Sequence, residues 1–300
     1  MKIILAEHLG FCTGVRRALE IARNTLKKKR RPVWFLGEII HNEKVIKEIR
    51  EKGGKIIVDP KEAKSGTLVI RAHGTRPLPQ LDGILIEDAT CPLVKRAQDV
   101  AKKLLEAGYK VVIIGEKNHP EVKGILGRVK DEAIVIKNER QAKRIAKSLS
   151  YKKTGKKLGV LAQTTQSQDN VNEIINVLKK KVKNLKWQNT LCPQVSSRQK
   201  ELKKIMKITD GVLVIGSKTS ANTQRLVDIA KKYDFRFAGN PGNFSLRKKY
   251  KKPVWCVNSS KELKNLSFGN ISVLGVVSGT SAPDWEIEKI KKFLMTNNLK

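Results

Sequence analysis

Just past the apolar run Val111–Ile114, the stretch GEKNHPEV places His119 and Glu121 two residues apart. An imidazole and a carboxyl at that spacing can hold an anion and move a proton. On this stretch alone, a solvated His-Pro turn is the favoured reading. Cysteine offers a second kind of chemistry. The chain has four, at positions 12, 91, 192 and 256, and none forms a CxxC pair. That spacing excludes a zinc ribbon and a secreted disulfide framework. Cysteines that act together here must meet in space.

The elements that would position these residues repeat three times. Around Cys12 the chain reads IILAEHLGFCTGVRRALEIA, around Cys91 ILIEDATCPLVKRAQDVAKKL, and around Cys192 QNTLCPQVSSRQKELKKIM. Each is an extended stretch, a cysteine, then a helical pattern whose first residue is Thr13, Pro92 or Pro193, suited to a helix start. A second apolar strand then ends in glycine (VWFLG, VVIIG, VLVIG), at 25, 24 and 24 residues beyond the cysteine. Four residues past each glycine stands His41, His119 or Ser220. A third strand follows, and its exits present His73, Thr164 with Thr165, and Ser281. Cys256 has no counterpart in the repeat and reads as a small buried hydrophobe on a strand.

Strands alternating with helices predict an α/β fold of three pseudo-symmetric units with small, mainly parallel sheets. Ligands in such sheets gather beyond the carboxyl ends of the strands, where all these residues lie. A pseudo-threefold arrangement would bring three thiolates and a ring of His, Thr and Ser to one central cavity. Three thiolates suit zinc with a fourth ligand, or an iron–sulfur cluster with one iron lacking a protein ligand, and the residues alone leave both open. The polar ring suits a diphosphate better than a planar base.

Lys and Arg number 62 against 28 Asp and Glu, a formal charge of +34 in 300 residues. The patches LKKKRR, KKTGKK and LKKKVKNLK carry much of the excess without interleaved aromatics, which are only 5% of the chain. That pattern reads as solvated surface, and nucleic acid is not expected as a partner despite the charge. The rival class is a basic nucleic-acid-binding protein with a structural zinc site. No apolar run approaches the ~18 residues of a membrane span. The opening MKIILAEHLGFC reads as a core strand rather than a signal peptide, so a cytoplasmic location is expected.

The segments GFCTGV, GEIIHN, AHGT, DATCPLV, HPEV, QTT, SSRQ, NTQRL and SAPD occur in this order from Met1 to about Trp285. As a set they resemble the LytB/IspH family. Its members are reductases that dehydroxylate 4-hydroxy-3-methylbut-2-enyl diphosphate to isopentenyl and dimethylallyl diphosphate, the last step of the non-mevalonate isoprenoid pathway. The resemblance implies a trefoil around one 4Fe–4S cluster, with Cys12, Cys91 and Cys192 as ligands and one open iron. It assigns the diphosphate to His41, His73, His119, Ser220, Asn222 and Ser281, and counts Thr164 with them among the substrate-binding residues. Glu121 matches the proton donor, and Thr164 the hydroxyl linking that acid to the substrate alcohol.

The units expected are 1–91 with Cys12, His41 and His73; 92–190 with Cys91 at its start, then His119, Glu121 and Thr164; and 191–281 with Cys192, Ser220, Asn222 and Ser281. Residues 282–300 should form a C-terminal helix packing back on the body. Thr219, Ala221 and Glu116 depart from the family pattern, and His8 is read as a surface histidine. Asn42 is expected to cap the helix after His41, and Ser281 to cap the last helix. The basic charge suits an acidic electron donor of ferredoxin or flavodoxin type.

Overall fold

The computed structural model describes residues 1–28, 31–148, 157–233 and 251–296. All but the last residue of the basic patch KKTGKK lies outside them, as do residues 234–250 of the third expected unit and 297–300. The chain begins with β1 (Lys2–Leu5), α1 (Thr13–Lys28), β2 (Val33–Leu36), α2 (Glu43–Glu51), β3 (Gly54–Ile57), β4 (Gly66–Ile70) and β5 (Ile84–Asp88). Next come α3 (Pro92–Glu106), β6 (Tyr109–Ile114), α4 (Pro120–Arg128), β7 (Ile134–Ile136), α5 (Glu139–Ser148), β8 (Lys157–Ala162), α6 (Gln168–Lys179) and β9 (Leu185–Trp187). The remainder holds α7 (Pro193–Ile208), β10 (Gly211–Ile215), α8 (Ala221–Lys232), β11 (Val254–Val257), α9 (Ser260–Leu263), β12 (Val273–Ser278) and α10 (Asp284–Thr296).

These strands form three four-stranded sheets, ordered β3-β2-β4-β5, β7-β6-β8-β9 and β1-β12-β10-β11. Every pairing is parallel. Parallel strands covered by helices on both faces read as unbroken apolar runs, and the side chains sort by parity. On β6, Val111 and Ile113 pack with Ala97, Ala101 and Leu104 of α3 and with Val122 and Ile125 of α4. Val112 and Ile114 face the opposite way, onto Ala142 of α5 and Ile174 and Leu178 of α6. On β10, Leu213 and Ile215 meet Ile287, Ile290 and Leu294 of α10, while Val212 and Val214 meet Leu202 of α7 and Leu226 of α8.

The chain divides into two compact units, Thr13–Pro193 and Met1–Cys12 with Gln194–Lys300. This differs from the expected first segment of 1–91, because β1 pairs with β12 and not with any strand of 33–88. The strand before each cysteine is the outer strand of the preceding repeat's sheet. β5 before Cys91 pairs with β4, and β9 before Cys192 pairs with β8. The strand before Cys12 completes the last sheet instead, beside β12.

The same backbone bonds recur at all three sheets. Gly37, Gly115 and Gly216 each donate an N–H to the carbonyl that ends the neighbouring strand, Ile57, Ile136 and Val257, all at 2.8 Å. Cys12, Cys91 and Cys192 donate theirs to Thr280, Ala72 and Thr164 at 3.1, 2.9 and 3.0 Å. Those three acceptors are each the second residue past β12, β4 and β8. Arg71, Gln163 and Gly279 therefore occupy equivalent first positions, and His73, Thr165 and Ser281 equivalent third positions.

Candidate functional site

In the unit Thr13–Pro193, three strand exits bring His41, His73 and His119 together. The His41 and His73 rings lie 4.5 Å apart between centroids, His73 and His119 5.4 Å, and His41 and His119 6.2 Å. One ring nitrogen from each falls within 4.8 Å of the other two. The local sequence explains how each imidazole is placed. Asn42 caps α2 through Oδ1, accepting from the N–H groups of Lys44 and Val45, as expected, so the His41 ring is not needed as a cap. The His41 Nδ1 lies 3.1 Å from a Glu38 carboxylate oxygen. His119 is itself the cap of α4, its Nδ1 accepting the Glu121 N–H at 3.2 Å. In the neutral ring this acceptor bond puts the hydrogen on Nε2, which is buried and has no hydrogen-bond partner among the described residues. Nδ1 of His73 is likewise buried without a partner.

Burial, then repulsion from His41, His119 and Arg71, holds the His73 pKa well below its ordinary value. Burial and the charges of His41 and Arg71 pull His119 down to about 4. At neutral pH these two rings are uncharged, with polar atoms that burial leaves unsatisfied. An anion would reverse the electrostatics that keep them so.

Glu121, in the first turn of α4, is 1% exposed. Burial lifts its carboxyl to about pH 7, against the opposing pull of the Thr164 N–H and hydroxyl. Thr164 donates its N–H to Oε1 at 2.7 Å and its hydroxyl to Oε2 at 2.9 Å. The adjacent Thr165 hydroxyl accepts from Gln163 Nε2 instead. An acid with this pKa is half protonated at neutrality, the state suited to giving up a proton.

Cys91 is the N-cap of α3, and Cys192 and Cys12 immediately precede α7 and α1. All three are partly exposed and outside any disulfide. The thiolate is the form in which such a side chain binds metal. Cys256 differs. It lies on β11 as expected but is partly exposed like the others, packs beside Val212 and Val214, directs Sγ at the Gly216 carbonyl, and burial raises its pKa.

In the other unit, Ser220 caps α8 by accepting the Thr223 N–H, and Ala221 is the first helical residue. Asn222 is 2% exposed, and neither Oδ1 nor Nδ2 has a hydrogen-bond partner among the described residues. Ser281 is buried three residues past β12. It does not cap the last helix as expected. α10 starts at Asp284, and the Pro283 carbonyl receives the Glu286 and Ile287 N–H groups. His8 is exposed and lies 3.4 Å from Glu201.

Sequence reading missed Arg198. Buried on α7, it donates Nη1 to the Ser278 carbonyl, the Ser278 hydroxyl and the Gly279 carbonyl at 3.0, 3.0 and 3.1 Å, and Nη2 to the Gly10 carbonyl at 2.8 Å. Gly10 also donates to Ser278 Oγ, and Phe11 to Asp284 Oδ1. The Gly10–Cys12 loop is thereby tied at every residue. The only available signal was an arginine at i+6 from Cys192 in SSRQ, on a helix otherwise rich in solvated lysine.

Imidazoles gathered at strand exits, a buried acid of near-neutral pKa and thiols at helix starts define an α/β enzyme that handles an anion and a proton. Residues 3–237 match the family model described as LytB protein, and the chain belongs to that family. The 4-hydroxy-3-methylbut-2-enyl diphosphate reductase of Dictyoglomus thermophilum is 37% identical over 302 residues, 98% of this chain and 96% of the relative. The solved E-1-hydroxy-2-methyl-but-2-enyl-4-diphosphate reductase of Plasmodium falciparum superposes with a TM-score of 0.83 at 26% identity, over 99% of this chain and 88% of that one. A second solved structure, (E)-4-hydroxy-3-methyl-but-2-enyl diphosphate reductase, the terminal enzyme of the non-mevalonate pathway, is 33% identical with a TM-score of 0.64, covering 99% of this chain and all of that one.

Proposed function

We propose that this chain is a 4-hydroxy-3-methylbut-2-enyl diphosphate reductase that removes the allylic hydroxyl with two electrons and two protons. The C–O bond breaks, one proton leaves with the oxygen as water, and the other joins carbon at either end of the allyl unit. The products are isopentenyl and dimethylallyl diphosphate. The observation that carries this reading is the start of α4, where the His119 ring and the Glu121 carboxyl share one turn through the Glu121 N–H. An anion site and an acid thus stand at a fixed spacing, as a diphosphate with a hydroxyl at its far end requires.

Within this reading the diphosphate is held by His41, His73 and His119 with Ser220, Asn222 and Ser281. Neutral rings with buried, unpartnered nitrogens and an unpartnered Asn222 amide support that assignment. Glu121, protonated, gives its proton to Thr164 Oγ1 while the Thr164 hydroxyl passes its own to the departing oxygen. Such general-acid catalysis contributes roughly 10²–10⁴-fold. Holding the diphosphate away from the reacting carbon orients it.

The donor set suits one 4Fe–4S cluster on Cys12, Cys91 and Cys192. Each of these cysteines is partly exposed and stands at a helix start, where its sulfur is open to a bound group. Bound there, a cluster with one iron free of protein ligands supplies single electrons and a Lewis acid for the alcohol oxygen. The +34 charge supports an acidic donor protein of ferredoxin or flavodoxin type. No described helix is long and apolar enough to cross a membrane, and a cytoplasmic location belongs to this same reading.

Anaerobic purification tests it. The expected result is a brown protein with iron and sulfide near 4:4 that converts the allylic alcohol diphosphate, with iron content unchanged in Cys256→Ser. A colourless zinc protein without turnover would overturn the reading.

A further inference from the structure

Arg71 and Gln163 are equivalent residues, each the first past the third strand of its sheet. Both lie over the glycine that ends the second strand. A Cβ on Gly115 would come within 3.1 Å of Gln163 Oε1, and one on Gly37 would collide with Arg71 Nη1 and lie 3.1 Å from its Cζ. Gly37, at φ 74, permits that approach.

The two side chains differ in what they bind. Gln163 is satisfied internally: Oε1 accepts the Glu116 N–H at 3.0 Å and Nε2 donates to Thr165 at 2.8 Å. Among the described residues Arg71 donates only Nε, to the Gly74 carbonyl at a long 3.4 Å, and forms no ion pair. It is half-buried, and burial lowers its pKa against the pull of Glu38, but a guanidinium stays charged. Its charge acts on both His73 and His119. A half-buried cation with four free N–H donors, beside three imidazoles, lacks the anion such a group ordinarily has.

We propose that Arg71 is a further ligand of the diphosphate, its two Nη groups binding phosphate oxygens alongside His41, His73 and His119. This rests on the reading that the site takes a diphosphate. Arg71 supplies the permanent charge that neutral imidazoles do not, and its planar fork matches two oxygens of one phosphate. The alternative is that Arg71 only braces the turn at Gly74.

Inorganic pyrophosphate is the probe, titrated calorimetrically and anaerobically into the cluster-loaded protein, with iron content and unfolding midpoint recorded for each variant. Arg71→Met should weaken binding about 10- to 100-fold, the loss expected for charge-assisted hydrogen bonds. The deficit should shrink as salt is raised. Arg71→Lys, which keeps the charge without the fork, should bind several-fold more weakly than wild type and more tightly than Arg71→Met. Binding by Arg71→Met within twofold of wild type, with a lowered unfolding midpoint, would assign the bracing role and overturn the proposal. Should Arg71→Met fail to fold, wild-type affinity in Arg71→Lys overturns it equally. A wild-type protein that does not bind pyrophosphate would instead sink the diphosphate reading beneath it.

Discussion

Thr164 grips Glu121 at both carboxyl oxygens, with its N–H on Oε1 at 2.7 Å and its hydroxyl on Oε2 at 2.9 Å. The acid has one orientation, and the hydroxyl is the group through which its proton can leave. Thr164 also lends its carbonyl to the Cys192 N–H, so the residue bonded to the acid bonds to a proposed cluster ligand as well.

Glu121→Gln should therefore lose turnover by about 10²–10⁴-fold while keeping iron content and pyrophosphate binding. It should also be more stable than wild type at pH 8. The folded-state pKa is raised, from 4.5 to about 7, so the folded protein binds this proton more tightly than the unfolded chain does. Stability from this group is complete below pH 4.5 and lost as pH rises through 7, a swing on the order of 3 kcal/mol. Thermal unfolding at pH 5 and pH 8 measures it. A difference between variant and wild type that does not grow with pH would refute the buried-acid assignment.

Thr164→Val separates the relay from the acid. The Thr164 hydroxyl lowers the Glu121 pKa, so removing it should push the acid higher and move the alkaline limb of the pH–rate profile upward. Turnover should nevertheless fall, because the proton has lost its path. Thr164→Ser restores the hydroxyl and should recover most of the rate. A Val variant with the wild-type rate and profile would remove Thr164 from the relay.

Diphosphate binding should be accompanied by proton uptake. His73 and His119 are held neutral mainly by burial, and an anion among them favours the imidazolium. Calorimetry of pyrophosphate binding at pH 7.5, in buffers of different ionisation enthalpy, counts the protons. His119→Asn should take up fewer than wild type. Equal uptake in the two proteins would mean that His119 does not meet the anion.

Much of this was legible in the sequence because the repeat is written in strongly typed residues. Apolar runs ending in glycine mark β2, β6 and β10, and a proline or threonine after each cysteine marks a helix start. β3 and β7, of four and three residues, are too short to show alternation and were not read. The pairing of β1 with β12 was hidden for another reason: a strand preceding a cysteine looks the same whichever sheet it joins. Thr164 and Thr165 are equally polar in sequence, and only the strand exit decides which hydroxyl reaches Glu121. The cap expected of Ser281 failed because the helix starts only at Asp284, with the Pro283 carbonyl accepting its first N–H groups. Arg71 and Arg198 escaped notice because an arginine in so basic a chain reads as solvated charge.

Arg198 offers a test of how the Cys12 loop is held. Four donor–acceptor contacts from one guanidinium link Gly10 to Ser278 and Gly279, next to the Thr280 carbonyl that receives the Cys12 N–H. Arg198→Met would leave three buried carbonyls short of a donor, a class of change that costs about 3–5 kcal/mol. For a protein of this size the unfolding midpoint should drop by roughly 10 °C. Because the loop ends in a proposed cluster ligand, iron retained after anaerobic reconstitution should fall as well, and iron should be lost on dilution faster than from wild type. Arg198→Lys, with charge but no fork, should lie between the two. A Met variant that unfolds early yet keeps its full iron would show that the loop's anchoring matters for the fold and not for Cys12.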